Sequence, residues 1–192
     1  MDSIIATALR EAERVLCEYR ADAVCAKAID SILDRLERCF QEGGKILLAG
    51  NGGSMADALH FAEEWTGRFR RDRRPFPALA LGEAAHLTCV GNDFGFEHVF
   101  SRLVQAFGKP EDVLILLSTS GNSANLLRAA EAARACGVDV VGLLGRGGGP
   151  LKELCDLVLV VPGDGSDRIQ ELHMLTLHAM IESLEKRLRV YA

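Results

Sequence analysis

Short apolar runs that hand over to a glycine- or serine-rich loop and then to a helix constrain this chain more than any other feature. The clearest are Ile46-Leu47-Leu48-Ala49, followed by Gly50-Asn51-Gly52-Gly53-Ser54, and Val113-Leu114-Ile115-Leu116-Leu117, followed by Ser118-Thr119-Ser120-Gly121-Asn122-Ser123. Residues 77–81, 138–144 and 157–161 supply three more such runs. Strands this short and this continuously apolar have no polar face to offer water, so they belong in a parallel sheet covered on both sides by helices. The expected fold is α/β, a doubly wound parallel five-stranded sheet. Right-handed crossovers then bring the loops after the strands to one edge of the sheet, where folds of this kind bind ligands.

Helices are expected over residues 55–66, from the second strand through residue 88, over 124–135, briefly over 151–155, and from 166 to about 189. Ahead of the first strand, residues 4–42 read as two helical segments. Ile5, Leu9, Ala12 and Leu16 form one stripe, and Ala28, Ile32, Leu36 and Phe40 another, with Gly43-Gly44 as the stop. Such an arm must bury its stripes, either in contacts between subunits or as a cover for one sheet face. With 192 residues, 48% of them apolar, the chain supports one core. It is read as a single domain over 1–192, with an N-terminal helical arm over 1–42 and an α/β core over 43–192.

A formal net charge of −5 argues against a general nucleic-acid binder. Nothing approaches the roughly 20 apolar residues of a spanning helix, and the first residues lack the order of a secretory signal. No nucleic-acid partner, no membrane and a cytoplasmic location are expected. The six cysteines stand singly, without a C-x-x-C pair, and read mostly as buried thiols.

The loop Gly50-Asn51-Gly52-Gly53-Ser54 can turn its amides toward an anion at a helix N-terminus. Ser54 and Asp57 also fit a capping box. The loop matches neither a dinucleotide fingerprint nor a nucleoside-triphosphate loop, and no Lys follows it. An ordinary tight turn is the competing reading. Ser118-Thr119-Ser120-Gly121-Asn122-Ser123 adds four hydroxyls and free amides, more than one helix cap needs. Two such loops after two strands of one sheet would bracket a phosphorylated small molecule.

His60 and Glu64, four apart on a helix, share one face, as a metal pair or a plain surface pair would. Gln170 and His178 sit in an apolar helix, where a polar group needs a partner. They are separated by roughly 12 Å of helix, an awkward span for one ion, which favours a site drawn from two subunits. Asp93 fits a sugar contact or an Asx turn, and Asp167 an N-cap for the last helix. His86, His98 and His173 read as structural or exposed. Arg68, Arg70, Arg71, Arg73 and Arg74 read as a solvated loop, with subunit or polyanion contact as the other reading.

Taken together, these motifs resemble the SIS (sugar isomerase) domain family and, within it, the phosphoheptose isomerases. The resemblance covers nearly the whole chain. It is carried by the two loops, by Asp57-Ala58-Leu59-His60-Phe61-Ala62-Glu63-Glu64, by Cys89-Val90-Gly91-Asn92-Asp93-Phe94-Gly95 and by Asp167-Arg168-Ile169-Gln170-Glu171-Leu172-His173. It implies interconversion of sedoheptulose 7-phosphate and D-glycero-D-manno-heptose 7-phosphate through an enediol, a first step toward ADP- or GDP-heptose precursors. It also implies a homotetramer with active sites between subunits. Sugar-phosphate contacts would come from Asn51, Gly52, Gly53, Ser54, Asn92, Asp93, Ser118, Thr119, Ser120 and Ser123, with Glu64 and Gln170. One zinc ion per subunit would be held by His60, Glu64, Gln170 and His178, with Glu64 and His178 as the proton-transfer pair. The family's variable position after Ser54 is Met55 here. A competing expectation is a non-catalytic SIS tetramer that binds a replication initiator protein, but such relatives replace the residues equivalent to Glu64 and His178. A sugar-phosphate-sensing regulator would carry a DNA-binding segment, and none is visible.

Overall fold

The computed structural model describes residues 3–191. Five strands, β1 (Ile46–Gly50), β2 (Ala78–Ala80), β3 (Val113–Ser118), β4 (Asp139–Leu144) and β5 (Leu157–Val160), form one parallel sheet in the order β2-β1-β3-β4-β5. Register is set by Ile46 beside Ala78 and Val113, Val113 beside Asp139, and Val141 beside Leu157. Every residue of β1 and β3 is buried, which accounts for their unbroken apolar composition.

The helices are α1 (Ile4–Ala21), α2 (Ala23–Gln41), α3 (Gly53–Thr66), α4 (Ala84–Asp93), α5 (Ser101–Phe107), α6 (Ala124–Ala135) and α7 (Ser166–Arg187). Alternate strand residues point to opposite faces. Ile46, Leu48, Val113, Ile115 and Leu117 pack with Ile32, Leu36, Phe61, Trp65 and Leu177 of α2, α3 and α7. Leu47, Ala49, Leu114 and Leu116 pack with Val90, Val104, Leu126 and Ala130 of α4, α5 and α6. The strand order reverses between β1 and β3. Their carboxyl ends therefore open the crevice into which both sequence-identified loops project.

The arm divides its two roles between its helices. Ile32, Leu36 and Phe40 of α2 are buried against the sheet, whereas Ile5 and Leu9 of α1 remain 73% and 65% exposed. Asp22 separates the helices and caps α2 through Val24 and Cys25.

Several local expectations are corrected. Ser54 and Asp57 form no capping box: α3 starts two residues earlier than expected, Gly52 is its N-cap without a side-chain bond, and Ser54 is buried inside the first turn. α4 continues to Asp93 instead of stopping near 88, and α5, which the sequence reading omitted, fills the stretch before β3. The glycine stretch after β4 winds into a 3₁₀ turn at Arg146–Gly148, and the short helix expected over 151–155 is a 3₁₀ turn at Pro150–Leu154. Gly165, not Asp167, is the N-cap of α7, and Asp167 pairs with Arg168. Cys25 and Cys39 are buried, Cys136 and Cys155 half-buried, and Cys17 and Cys89 exposed, so only some of the thiols are core residues. No helix among the described residues is long and apolar enough to cross a membrane.

Candidate active site

Where the loops after β1 and β3 meet the start of α7, they enclose a cavity of about 100 Å³. Asn51, Ser54, Ser118, Thr119, Ser120, Ser123 and Gln170 line it, all of them residues singled out from the sequence, together with Ser166, which was not. Among the described residues no cationic side chain lines it. The hydroxyls divide their work. Ser118 Oγ accepts from the Gly121 amide at 2.9 Å, and Ser120 Oγ accepts from the Asn122 amide at 3.3 Å, so both shape the loop. Thr119 Oγ1 lies 3.2 Å from Ser166 Oγ and joins the β3 loop to α7. Ser123 is the N-cap of α6 but makes no side-chain cap bond, which leaves its hydroxyl available to a ligand at the positive end of that helix.

The cradle depends on close approaches. Gly121 has φ +65°, and a Cβ there would meet the Gly148 carbonyl oxygen at 1.8 Å, because the first 3₁₀ turn lies directly on the loop. A Cβ on Gly53 would lie 2.7 Å from both terminal atoms of Gln170. That glycine therefore lets the α7 amide settle over the β1 loop. Gly52 lines an adjoining, more open hollow with Asn51, Phe96 and Ser123. Asn125 also faces this hollow, and sequence reasoning missed it although it lies two residues after the Ser118–Ser123 loop, in the first turn of α6.

Further along the same two helices, His60, Glu64 and His178 converge. Nε2 of His60 lies 3.3 Å and Nε2 of His178 3.6 Å from Oε1 of Glu64. The ligand-capable atoms of all three residues lie within 4.8 Å of one another. Glu64 is only 8% exposed, and its Oε2 is buried without a hydrogen-bond partner among the described residues. A buried, incompletely satisfied carboxylate between two imidazoles is the donor chemistry of a divalent transition-metal site, and the three residues fit such an ion. One turn earlier on α3, burial pushes the Asp57 carboxyl above its usual range, opposed by the His60 imidazole, and its Oδ2 is also unpartnered.

These three residues converge within one chain, so a second subunit is not needed to bring them together. The spacing argument for two subunits now bears on Gln170 alone, which the structure puts beside Gly53 and the small cavity. Asn92 and Asp93 line neither the small cavity nor the adjoining hollow and are not among the three converging residues. They end α4, exposed, with Asn92 Nδ2 donating to Asp93 Oδ1 at 2.7 Å and the Cys89 thiol 3.7 Å from Asp93 Oδ2; no Asx turn forms. His86 and His173 are structural: their Nε2 atoms lie 2.9 Å from the Val99 carbonyl and 3.3 Å from the Leu144 carbonyl.

Residues 9–145 match the SIS domain family. A phosphoheptose isomerase of Fusobacterium nucleatum is 49% identical over 160 residues, covering 83% of this chain and 82% of that one. One of Edwardsiella ictaluri is 47% identical over 186 residues, 96% of each chain. The solved structure of a phosphoheptose isomerase from Neisseria gonorrhoeae superposes with a TM-score of 0.88 at 40% identity, over 95% of this chain and 97% of that one.

Proposed function

The chain belongs to the SIS domain family and to the phosphoheptose isomerases within it, and from that membership we propose how its residues divide the work. The reaction is an aldose–ketose isomerisation between sedoheptulose 7-phosphate and D-glycero-D-manno-heptose 7-phosphate. The observation that carries the assignment of roles is the convergence of Glu64 and His178 on the two helices that also border the phosphate-sized cavity.

From Ser54 to Glu64 and from Gln170 to His178, α3 and α7 run about 15 Å and 12 Å along their axes. A free phosphate cannot touch both ends, whereas an extended sugar phosphate can. Amides and hydroxyls of the two loops hold the phosphate, with Asn51, Ser54, Ser118, Thr119, Ser120 and Ser123 as the contacts. Glu64 takes a proton from C1 of the ketose. The C1–C2 double bond forms as the carbonyl electrons move to O2, which takes a proton from His178 acting as general acid. The reverse pattern at the neighbouring carbon completes the exchange: O1–H gives up its proton, the C1 carbonyl forms, and Glu64 returns a proton to C2. A carboxylate can accept a carbon-bound proton and an imidazole can exchange one with a sugar oxygen.

His60, Glu64 and His178 would hold a divalent ion in the resting site, zinc by resemblance to the family, and Gln170, the family's fourth ligand, would reach it from a second subunit. When bound, such an ion polarises the sugar carbonyl and stabilises negative charge on the enediolate. Asn92 and Asp93, which line neither hollow, would reach a sugar from a neighbouring subunit. That agrees with the exposed stripe on α1 and with a homotetramer whose sites lie between subunits. A cytoplasmic location is part of the same proposal.

The test is direct. Purified protein incubated with sedoheptulose 7-phosphate should yield the aldose, Glu64→Gln and His178→Gln should each lower kcat by about 100-fold or more, and a chelator should abolish activity until Zn²⁺ is restored. Parental activity in both variants would remove the assigned roles. The scaffold alternative predicts no turnover at all.

A further inference from the structure

Composition alone makes the arginine-rich segment after α3 a solvated loop, and for Arg73 the structure shows the reverse. Its side chain is fully buried. Nη2 donates to the main-chain carbonyl of Glu64 at 2.7 Å, Nη1 to that of Trp65 at 2.8 Å, and Nε to Oε1 of Glu185 at 2.9 Å. The guanidinium lies over the Trp65 and Phe76 rings, 5.3 and 5.5 Å from their centroids. Glu185 is completed by the Tyr191 hydroxyl, which donates to Oε2 at 2.6 Å.

The carbonyls of Glu64 and Trp65 belong to the last turn of α3, where a helix has no acceptor-satisfying amides of its own. A cation there both caps them and meets the negative end of the helix dipole. The segment then follows one face of α7. Phe69 stacks on the His178 ring with centroids 5.8 Å apart, Arg70 Nη1 lies 2.9 Å from Glu182 Oε2, and Arg73 pairs with Glu185. Positions 178, 182 and 185 fall on a single helical stripe.

We propose that residues 68–76 form a strap that sets His178 against Glu64, with Arg73 as its positioning residue. One guanidinium fixes the main chain of Glu64 on α3 and, through Glu185, the rotation of α7 that presents His178. This rests on the reading of Glu64 and His178 as the working pair. A buried ion pair is a weak source of net stability, because desolvation offsets attraction. It is a strong source of alignment, because displacement leaves two carbonyls and Oε1 of Glu185 without their charged donor.

Arg73→Lys loses the fork geometry while keeping the charge, and Glu185→Gln keeps the carbonyl caps while losing the charge pair. The experiment measures kcat and KM with sedoheptulose 7-phosphate, Zn²⁺ affinity by calorimetry, and thermal unfolding. Both variants are expected to show KM within about twofold of the parent, since the phosphate loops are untouched. They are also expected to show a kcat at least tenfold lower and Zn²⁺ binding weakened about tenfold or more. A lower unfolding temperature with parental kcat and Zn²⁺ affinity makes Arg73 a stability residue and overturns the proposal. If Arg73→Lys fails to fold, Glu185→Gln decides by the same readings. If the parent itself does not isomerise the sugar phosphate, the functional reading fails, and Zn²⁺ affinity alone decides the strap: unchanged binding in the variants overturns it.

Discussion

The side-chain amides of Asn51 and Asn125 pair reciprocally. Nδ2 of Asn51 donates to Oδ1 of Asn125 at 3.0 Å, and Nδ2 of Asn125 donates back to Oδ1 of Asn51 at 2.8 Å. The loop after β1 is thereby locked to the first turn of α6, and the two segments that border the small cavity hold one geometry. Asn125→Leu removes both bonds and leaves Asn51 unpaired, at a cost of about 1–3 kcal/mol. KM for the sugar phosphate is expected to rise about tenfold with a smaller change in kcat. Steady-state kinetics that return the parental KM would mean that the loops are held independently.

Gly53 makes room for Gln170. In Gly53→Ala the new Cβ would lie 2.7 Å from the Gln170 amide atoms, so that flexible side chain must swing away. Because Gln170 can move, the fold should survive with a cost of about 1 kcal/mol, in the range of ordinary single substitutions. Activity should drop at least tenfold. A crystal structure of the variant with Gln170 undisturbed, or full activity, would remove Gln170 from the site.

His173 gives the fold an acid-side weakness. The residue is fully buried, and burial lowers its pKa to about 4, against about 6.5 in an unfolded chain. Between those values the unfolded chain binds a proton that the folded chain refuses, so the stability of the fold falls as pH drops from about 6.5 to about 4 and levels off below. The loss amounts to about 3 kcal/mol over that window. Urea unfolding across the window should show a shallower pH slope for His173→Gln than for the parent. Equal slopes would indicate that His173 does not stay neutral in the fold.

Association should run through α1. Its apolar residues Ile5 and Leu9 are exposed, and beside them Leu16, Tyr19, Ile29 and Leu175 line a groove of about 500 Å³ between α1 and α7. Patches of this kind on a folded chain are places where another surface sits. Light scattering should report a tetramer for the parent and a smaller species for the Ile5→Glu, Leu9→Glu double variant. A parental mass in that variant would move the interface elsewhere.

The strands, their parallel arrangement and the two loops that border the small cavity were legible in the chain itself, because a four- or five-residue apolar run followed by glycines or hydroxyls permits few other structures. The pairing of His60 with Glu64 was legible too, since one helical turn fixes it. Pairings across the fold were not. That His178 meets Glu64, that Gln170 rests on Gly53, that Asn125 answers Asn51 and that Arg73 is buried against Glu185 are separations of 74 to 117 residues closed by packing. Local periodicity carries no information about which helix faces lie against each other. An arginine among four others looks solvated until α7 supplies a carboxylate and α3 supplies two uncapped carbonyls. Residue types thus determined the chemistry on offer, and only the docking of α3 against α7 decided which groups meet, because side chains reach a few ångströms and the tertiary fold sets what lies within that reach.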